Sequence, residues 1–264
     1  MRRRHLLAAA LFAVAPKPSR AAAGQATRGK LPLIATFSIL GDMVASVGGD
    51  DVSVRVLVGP NQDVHIYEPA PRDLRDVVAA SAVVENGLGL EGWMARLTGA
   101  AGFKGRTIVA AAQVKPRTMK EDGAIATDPH AWQNPQNGVL YAQSIAAGLS
   151  AADPAHAQAY ASAATAYEDA IRQADARIEA AFASIPANRR RIITTHDAFG
   201  YYGARYGIEF LAAEGISTES EPSAKQIAAL VRQIKREKIH AVFIENMTSD
   251  RMAKMLARET GAVP

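Results

Sequence analysis

The stretch Asp153-Pro-Ala-His-Ala-Gln-Ala-Tyr160-Ala-Ser-Ala-Ala-Thr-Ala-Tyr167-Glu-Asp-Ala-Ile171-Arg-Gln-Ala-Asp-Ala-Arg-Ile178-Glu-Ala-Ala-Phe-Ala-Ser-Ile185-Pro186 governs how the rest of the chain is read. Asp153 suits a helix N-cap and Pro154 the first helical position. After Pro154 no glycine or proline interrupts until Pro186. Tyr160, Ala164, Tyr167, Ile171, Ala174, Ile178, Ala181 and Ile185 recur in steps of four and three, the spacing of one helix face. A helix over 154–185 would be about 48 Å long. A coiled-coil dimer needs a sustained Leu/Ile seam, and half of this seam is small or aromatic. The helix is therefore expected to lie along its own protein as a stiff spine between two lobes, in a monomer.

Outward from this helix the pattern changes period. Leu33-Ile-Ala-Thr-Phe37, Val52 to Val58, Ala82-Val-Val84, Thr107-Ile-Val109, Ile192-Ile-Thr-Thr195 and Ala241-Val-Phe-Ile244 are short apolar, β-branched runs. Helix-like stretches lie between most of them, among them Pro71 to Ala80, Gly92 to Gly99 and Ser223 to Lys238. The last opens with Ser223-Ala-Lys-Gln226, a capping-box pattern, ahead of Ile227, Leu230, Val231 and Ile234 at helical spacing. Strands alternating with helices predict an α/β protein with parallel-rich sheets flanked by helices. The expected division is a lobe over 23–152, the connecting helix over 153–186, and a second lobe over 187–264.

Composition narrows the function classes. The 264 residues carry 30 Lys+Arg and 26 Asp+Glu, a formal charge of +4. Arg2, Arg3, Arg4, Lys17 and Arg20 supply five positive charges, and no acid accompanies them before residue 23. Arginines, then the apolar run Leu6 to Ala15, then small residues around Ser19 to Ala23, fit a cleaved export signal over 1–22, by the general or the twin-arginine route. The remainder is near neutrality, which gives no electrostatic footprint for nucleic acid. The apolar run is too short to span a bilayer. With no cysteine in the chain, a disulfide framework, a thiolate metal site and a lipidated cysteine are all excluded. The expected location is the periplasm.

Histidine is then the available soft-enough metal donor. His65 lies in Gly59-Pro-Asn-Gln-Asp-Val-His-Ile-Tyr-Glu-Pro69, His130 in Thr127-Asp-Pro-His-Ala-Trp-Gln-Asn-Pro135, and His196 in Ile192-Ile-Thr-Thr-His-Asp-Ala-Phe-Gly200. Each sits in a polar turn just past an apolar run, with a carboxylate within two positions. In an open parallel sheet ligands bind beyond the carboxyl ends of the strands, so the three can share one cleft. Three neutral imidazoles and one further oxygen make an ordinary zinc site, and Asp63, Asp128 and Asp197 could orient the rings. Each histidine taken singly also fits a capped turn or a surface pair. His156 and His240 read as solvated positions, and Tyr67, Trp93, Trp132, Tyr201 and Tyr202 as cleft wall or core. Gly87-Leu-Gly89 lacks the third glycine of a dinucleotide loop and reads as a turn. No nucleophile elbow, Walker loop or His-Glu-x-x-His helix is present. Three histidines with an open fourth position also suit a periplasmic zinc hydrolase, the alternative from the enzyme class.

Five ordered motifs, Asp63-Val-His-Ile-Tyr-Glu-Pro69, Asp128-Pro-His-Ala-Trp132, Thr195-His-Asp-Ala-Phe-Gly-Tyr201, Ile216-Ser-Thr-Glu-Ser-Glu-Pro-Ser223 and Phe243-Ile-Glu-Asn246, span most of the chain from about Leu31 onward. In them the sequence resembles the periplasmic metal-binding receptors of ABC zinc and manganese importers, whose two lobes are joined by one rigid helix. The resemblance implies capture of a divalent ion between the lobes and delivery to an inner-membrane ABC permease, with no reaction catalysed. By it, His65 and His130 would be ligands from the amino-terminal lobe and His196 from the carboxy-terminal lobe. Manganese members tend to carry a carboxylate at the third position, so a histidine there favours Zn2+ over Mn2+. The histidine-rich loop of many zinc members has no counterpart in Val114 to Thr127, which leaves room for loading by a periplasmic metallochaperone. The family's fourth ligand, an aspartate, would fall beyond Pro264. The second lobe is accordingly expected to be incomplete, with water, Glu68 or Glu245 as the fourth partner.

Overall fold

A computed structural model describes residues 29–121, 124–212, 223–237, 239, 243, 245 and 250–261. The expected export signal and His240 lie outside the described residues, as does most of the strand expected over 241–244.

The amino-terminal lobe is built on strands β1 (Leu31–Phe37), β2 (Val52–Val58), β3 (Ala82–Glu85) and β4 (Arg106–Val109). Helix α1 (Ser38–Gly48) joins the first two, α2 (Pro71–Ala79) leads into β3, and α3 (Met94–Ala101) into β4. All pairings are parallel and the order is β2-β1-β3-β4. Leu33 to Phe37 are buried without interruption, as expected of a central parallel strand covered on both faces. Residues 33–37, 52–58, 82–84 and 107–109 thus form strands where the apolar runs predict them.

The strand over 209–212 and a hairpin before the second histidine have no counterpart in the sequence reading. Strands β5 (Arg117–Glu121) and β6 (Ala124–Asp128) form a separate antiparallel hairpin. Glu121 pairs with Ala124, leaving Asp122-Gly123 between them, a dipeptide favoured in two-residue hairpin loops. That signal was present but short. The hairpin runs into α4 (Pro135–Ala152), which starts as Asn134-Pro135 dictates: the Asn134 side chain accepts from the Gln136 N–H at 3.0 Å.

The long helix is α5 (Ala157–Ala183), 27 residues, entered through a 3-10 turn at Pro154–His156 instead of starting regularly at 154. His156 is not simply solvated: its ring contacts Asp153 at 2.6 Å and Asp51 at 3.6 Å. The apolar seam is buried only in its first turns, at Tyr160 and Ala164. Tyr167, Ile171, Ala174 and Ile178 are half-buried, Ala181 is exposed, and the other buried positions are Glu168 and Asp175. Both acids carry links that apolar spacing does not reveal. Glu168 receives Gln143 of α4, and Asp175 receives Arg205 and Tyr206. The spine is therefore fixed to the amino-terminal lobe mainly by packing, and to the other lobe by these polar contacts together with Phe182 against Tyr202 and Tyr206.

The carboxy-terminal lobe contains β7 (Arg191–Thr194), α6 (Gly200–Tyr206), β8 (Glu209–Ala212), α7 (Ala224–Glu237) and α8 (Asp250–Thr260). β7 and β8 are parallel, and the Phe243 N–H donates to the Ile193 carbonyl at 2.7 Å, alongside β7. Ile193, Leu230, Ile234, Ile239 and Leu256 form its buried cluster among the described residues.

Packing of α4 on the sheet offers a direct check. A Cβ at Gly148 would lie 2.6–2.7 Å from three side-chain atoms of Ile108 in β4. Gly148→Val should therefore lower stability by about 1–3 kcal/mol through overpacking, read as a fall in the thermal midpoint. An unchanged midpoint would show that α4 does not seat on β4 as described.

Candidate metal centre

His65 follows β2 on a loop tied at three points. The Asp63 carboxylate accepts the His65 N–H at 2.9 Å, Trp93 Nε1 donates to the Val64 carbonyl at 2.9 Å, and Asp73 at the head of α2 accepts from Tyr67 Oη and the Ala70 N–H. Tyr67 and Trp93 pack edge to face behind it. His130 follows β6, not a strand of the parallel sheet. Its loop is held from below by a buried polar network: Asn86 Nδ2 donates to the Pro129 carbonyl, Tyr141 donates to Asn86 Oδ1, and Glu91 accepts from Thr36 Oγ1 and the Asn86 N–H. Burial pushes the Glu91 carboxyl up to about 7. The turn after β3 that presents Asn86 needs three successive left-handed residues, Gly87, Leu88 and Gly89, which confirms a turn and explains both glycines. His196 directly follows β7.

The three rings meet. Their centroids lie 5.1 Å (65 to 130), 5.2 Å (130 to 196) and 5.9 Å (65 to 196) apart. Each offers a nitrogen within 4.8 Å of the others. His65 Nε2 and His130 Nε2 are 3.1 Å apart, close to the edge of about 3.3 Å that a tetrahedral ion with 2.0–2.1 Å bonds to nitrogen requires. His196 Nε2 is buried without a hydrogen-bond partner. The cleft around them has a volume of about 470 Å³, with Phe37, Trp132 and Phe199 among its walls. Among the described residues lining it, Glu245 carries the only carboxylate and no lysine or arginine is present, so the field favours a cation.

Carboxylates orient two of the rings. Asp128 Oδ1 takes both the His130 N–H and Nδ1, each at 3.0 Å, and Arg117 holds its other oxygen at 3.1 Å. For His196 the partner is Glu245, not the adjacent Asp197. Glu245 Oε2 lies 2.5 Å from Nδ1, and Oε1 accepts the Thr195 and His196 N–H groups. Glu68 is exposed and outside the cleft. Asp63 serves the His65 backbone and not its ring. Sequence adjacency identified Asp128 correctly, but Glu245 is 49 residues from His196 and only its place in the Phe243 to Asn246 motif pointed to it.

Burial is the largest influence on His65, followed by its two neighbouring rings, and Asp63 opposes them only weakly, so its pKa falls to about 4. Burial likewise lowers His130 against the pull of Asp128. Neutral rings are the metal-binding form.

Two lobes, a helical spine and a junction of neutral, pre-oriented imidazoles define a bilobal metal-binding receptor. Comparison with known proteins agrees. Residues 33–264 match the model of the family described as ZnuA, zinc-uptake complex component A, periplasmic, and the chain belongs to this family. It is 32% identical over 238 residues to the iron-binding protein YfeA of Yersinia pestis, covering 89% of this chain and 76% of that protein. It is 32% identical over 259 residues to the manganese ABC transporter substrate-binding lipoprotein PsaA of Streptococcus mitis, covering 95% and 82%. The solved periplasmic zinc-binding protein TroA of Treponema pallidum superposes with a TM-score of 0.82 at 28% identity, over 89% of this chain and 86% of that one. These are binding proteins, and the hydrolase alternative finds no support.

The depressed His65 pKa has a measurable consequence. An unfolded histidine takes its proton near pH 6.5, whereas folded His65 resists until about pH 4. The unfolded state thus binds more protons in that window, and His65 contributes a loss of stability as pH falls through it. In the metal-free protein the His65 ring resonance should stay in its neutral position from pH 8 to 5, and His65→Ala should flatten the acid limb of the thermal midpoint. A His65 titration near pH 6.5 would contradict the buried, clustered ring.

Proposed function

We propose that the chain captures one divalent cation, zinc, on His65, His130 and His196 in the periplasm and delivers it to the permease of an ABC importer. The observation that carries the reading is the convergence of three imidazoles, with His65 Nε2 3.1 Å from His130 Nε2 and His130 Nδ1 held by Asp128. That leaves Nε2 as the donor atom on His130. Similar relatives carry names specifying iron, manganese and zinc, so the fold does not choose the ion; the donor atoms must. Three nitrogens favour zinc over manganese, which prefers harder oxygen ligands. Glu245 is occupied with His196, so we assign it an orienting role, and the fourth ligand to water or a further carboxylate. Residues 1–22 serve as the export signal, and the lobes divide at the spine as 23–152 and 187–264.

Chelator competition on the purified chain should give one zinc per molecule and a dissociation constant for manganese at least tenfold weaker. His65→Ala and His196→Ala should each weaken zinc binding by at least tenfold while leaving the helical circular dichroism unchanged. Equal affinity for the two metals would overturn zinc selectivity. Undiminished binding in both variants would remove the site from these histidines.

A further inference from the structure

Arg117 and Asp128 face each other across the hairpin, as Cα partners at the start of β5 and the end of β6. Arg117 Nη1 lies 3.1 Å from Asp128 Oδ2. Asp128 is fully buried, and its other oxygen holds His130 at both N–H and Nδ1. On its far side the pair presses on the other lobe. A Cβ at Gly200, the first residue of α6 and four beyond His196, would lie 1.8 Å from Arg117 Nη1 and 2.7 Å from Asp128 Oδ2. No side chain fits between, so the guanidinium and carboxylate rest directly on the Gly200 backbone. The next residue closes the contact from the opposite direction: the Arg117 N–H donates to Tyr201 Oη at 2.8 Å.

Arg117 therefore touches both ligand-bearing segments, that of His130 through Asp128 and that of His196 through Gly200 and Tyr201. A buried carboxylate without its cation is strongly unfavourable, and Asp128 relieved of Arg117 would turn to recover other donors. Oδ1 would then no longer fix the proton of His130 on Nδ1. The fork of arginine suits this position, since it donates to Asp128 while its Nη1 and Cζ lie where a Cβ of residue 200 would stand.

We propose that Arg117 is a positioning residue for metal capture, which couples the tautomer of His130 in one lobe to the seating of the α6 head in the other. The inference rests on the three-histidine reading above. It adds that ligand alignment and lobe apposition are a single event. Loss of either contact disturbs both.

The test approaches the pair from both sides. Arg117→Gln removes the cation, and Gly200→Ala leaves every charged group in place while its methyl displaces the guanidinium. In the metal-free protein, the ring nitrogen resonances of His130 should report the Nδ1–H tautomer in the wild type and a mixture in both variants. Zinc affinity should fall roughly tenfold or more in each, in line with the loss of a carboxylate partner behind a metal-bound histidine. The double variant should lose little beyond either single one, because both break the same contact. Arg117→Lys should recover part of the affinity and less of the tautomer order. An unchanged His130 tautomer in Arg117→Gln or in Gly200→Ala would overturn the proposal, as would additive losses in the double variant. These outcomes differ from failure of the metal reading, in which wild-type zinc binding is indifferent to His65→Ala and His196→Ala.

Discussion

His65 and His130 share a cleft whose burial disfavours their charged forms, and most of the site follows from that constraint. Two protonated rings with centroids 5–6 Å apart in a partly buried cleft would repel. Neutral imidazole still has one N–H to place and one lone pair to present. Placing the N–H on a carboxylate fixes the lone pair on the opposite nitrogen, and the lone pairs then converge. His130 does this with Asp128, and Glu245 Oε2 lies 2.5 Å from His196 Nδ1. Those buried carboxylates create the next obligation, met by Arg117 for the first and by two backbone N–H groups for the second.

His65 differs, and the difference belongs to the metal-free state. Its Nε2 faces His130 Nε2 at 3.1 Å. With the His130 proton on Nδ1, the hydrogen bond between the rings requires His65 to carry its own proton on Nε2. Binding an ion between them requires that proton to move to Nδ1. Among the described residues no carboxylate hydrogen-bonds the His65 ring, so the exchange meets little resistance. The ring that must change form is the one left unanchored, while its backbone is pinned by Asp63 and Trp93.

The parallel strands, the spine and the three histidines were legible in the sequence because each leaves a periodic or local trace. β-branched runs mark strands buried on both faces, the uninterrupted stretch from Pro154 to Pro186 marks the helix, and a histidine in a polar turn after a strand marks a place in the cluster. What was illegible is long-range polar pairing. Glu245 with His196, Arg205 with Asp175, and Asn86 with Pro129 join segments 30 to 49 residues apart, and spacing carries no record of them. Local adjacency misled in two places. Asp197 is beside His196 in the chain but does not orient its ring, and α5 buries Glu168 and Asp175 where an apolar seam was expected. The hairpin β5–β6 escapes such a reading because its strands lack a β-branched run and its one signal is the dipeptide Asp122-Gly123.

The two lobes hold their histidines by different means, which bears on how the proposed capture would proceed. His65 and His130 rise from the lobe with the extensive apolar core, and their donor atoms already stand at nearly the spacing an ion needs. The His196 segment rests on polar contacts, through Glu245 to its backbone and through Arg117 to Gly200. Since all donor atoms lie within 4.8 Å and the first pair is already close, the remaining slack belongs to His196. Closing it to an edge of about 3.3 Å takes a shift on the order of 1–2 Å. Polar contacts of this kind can slide together by such a distance, whereas α5 is tied into both lobes and resists wide bending. On the proposed reading, a small movement of one loop onto two waiting rings would be enough to enclose the ion, on the face where the lobes already touch.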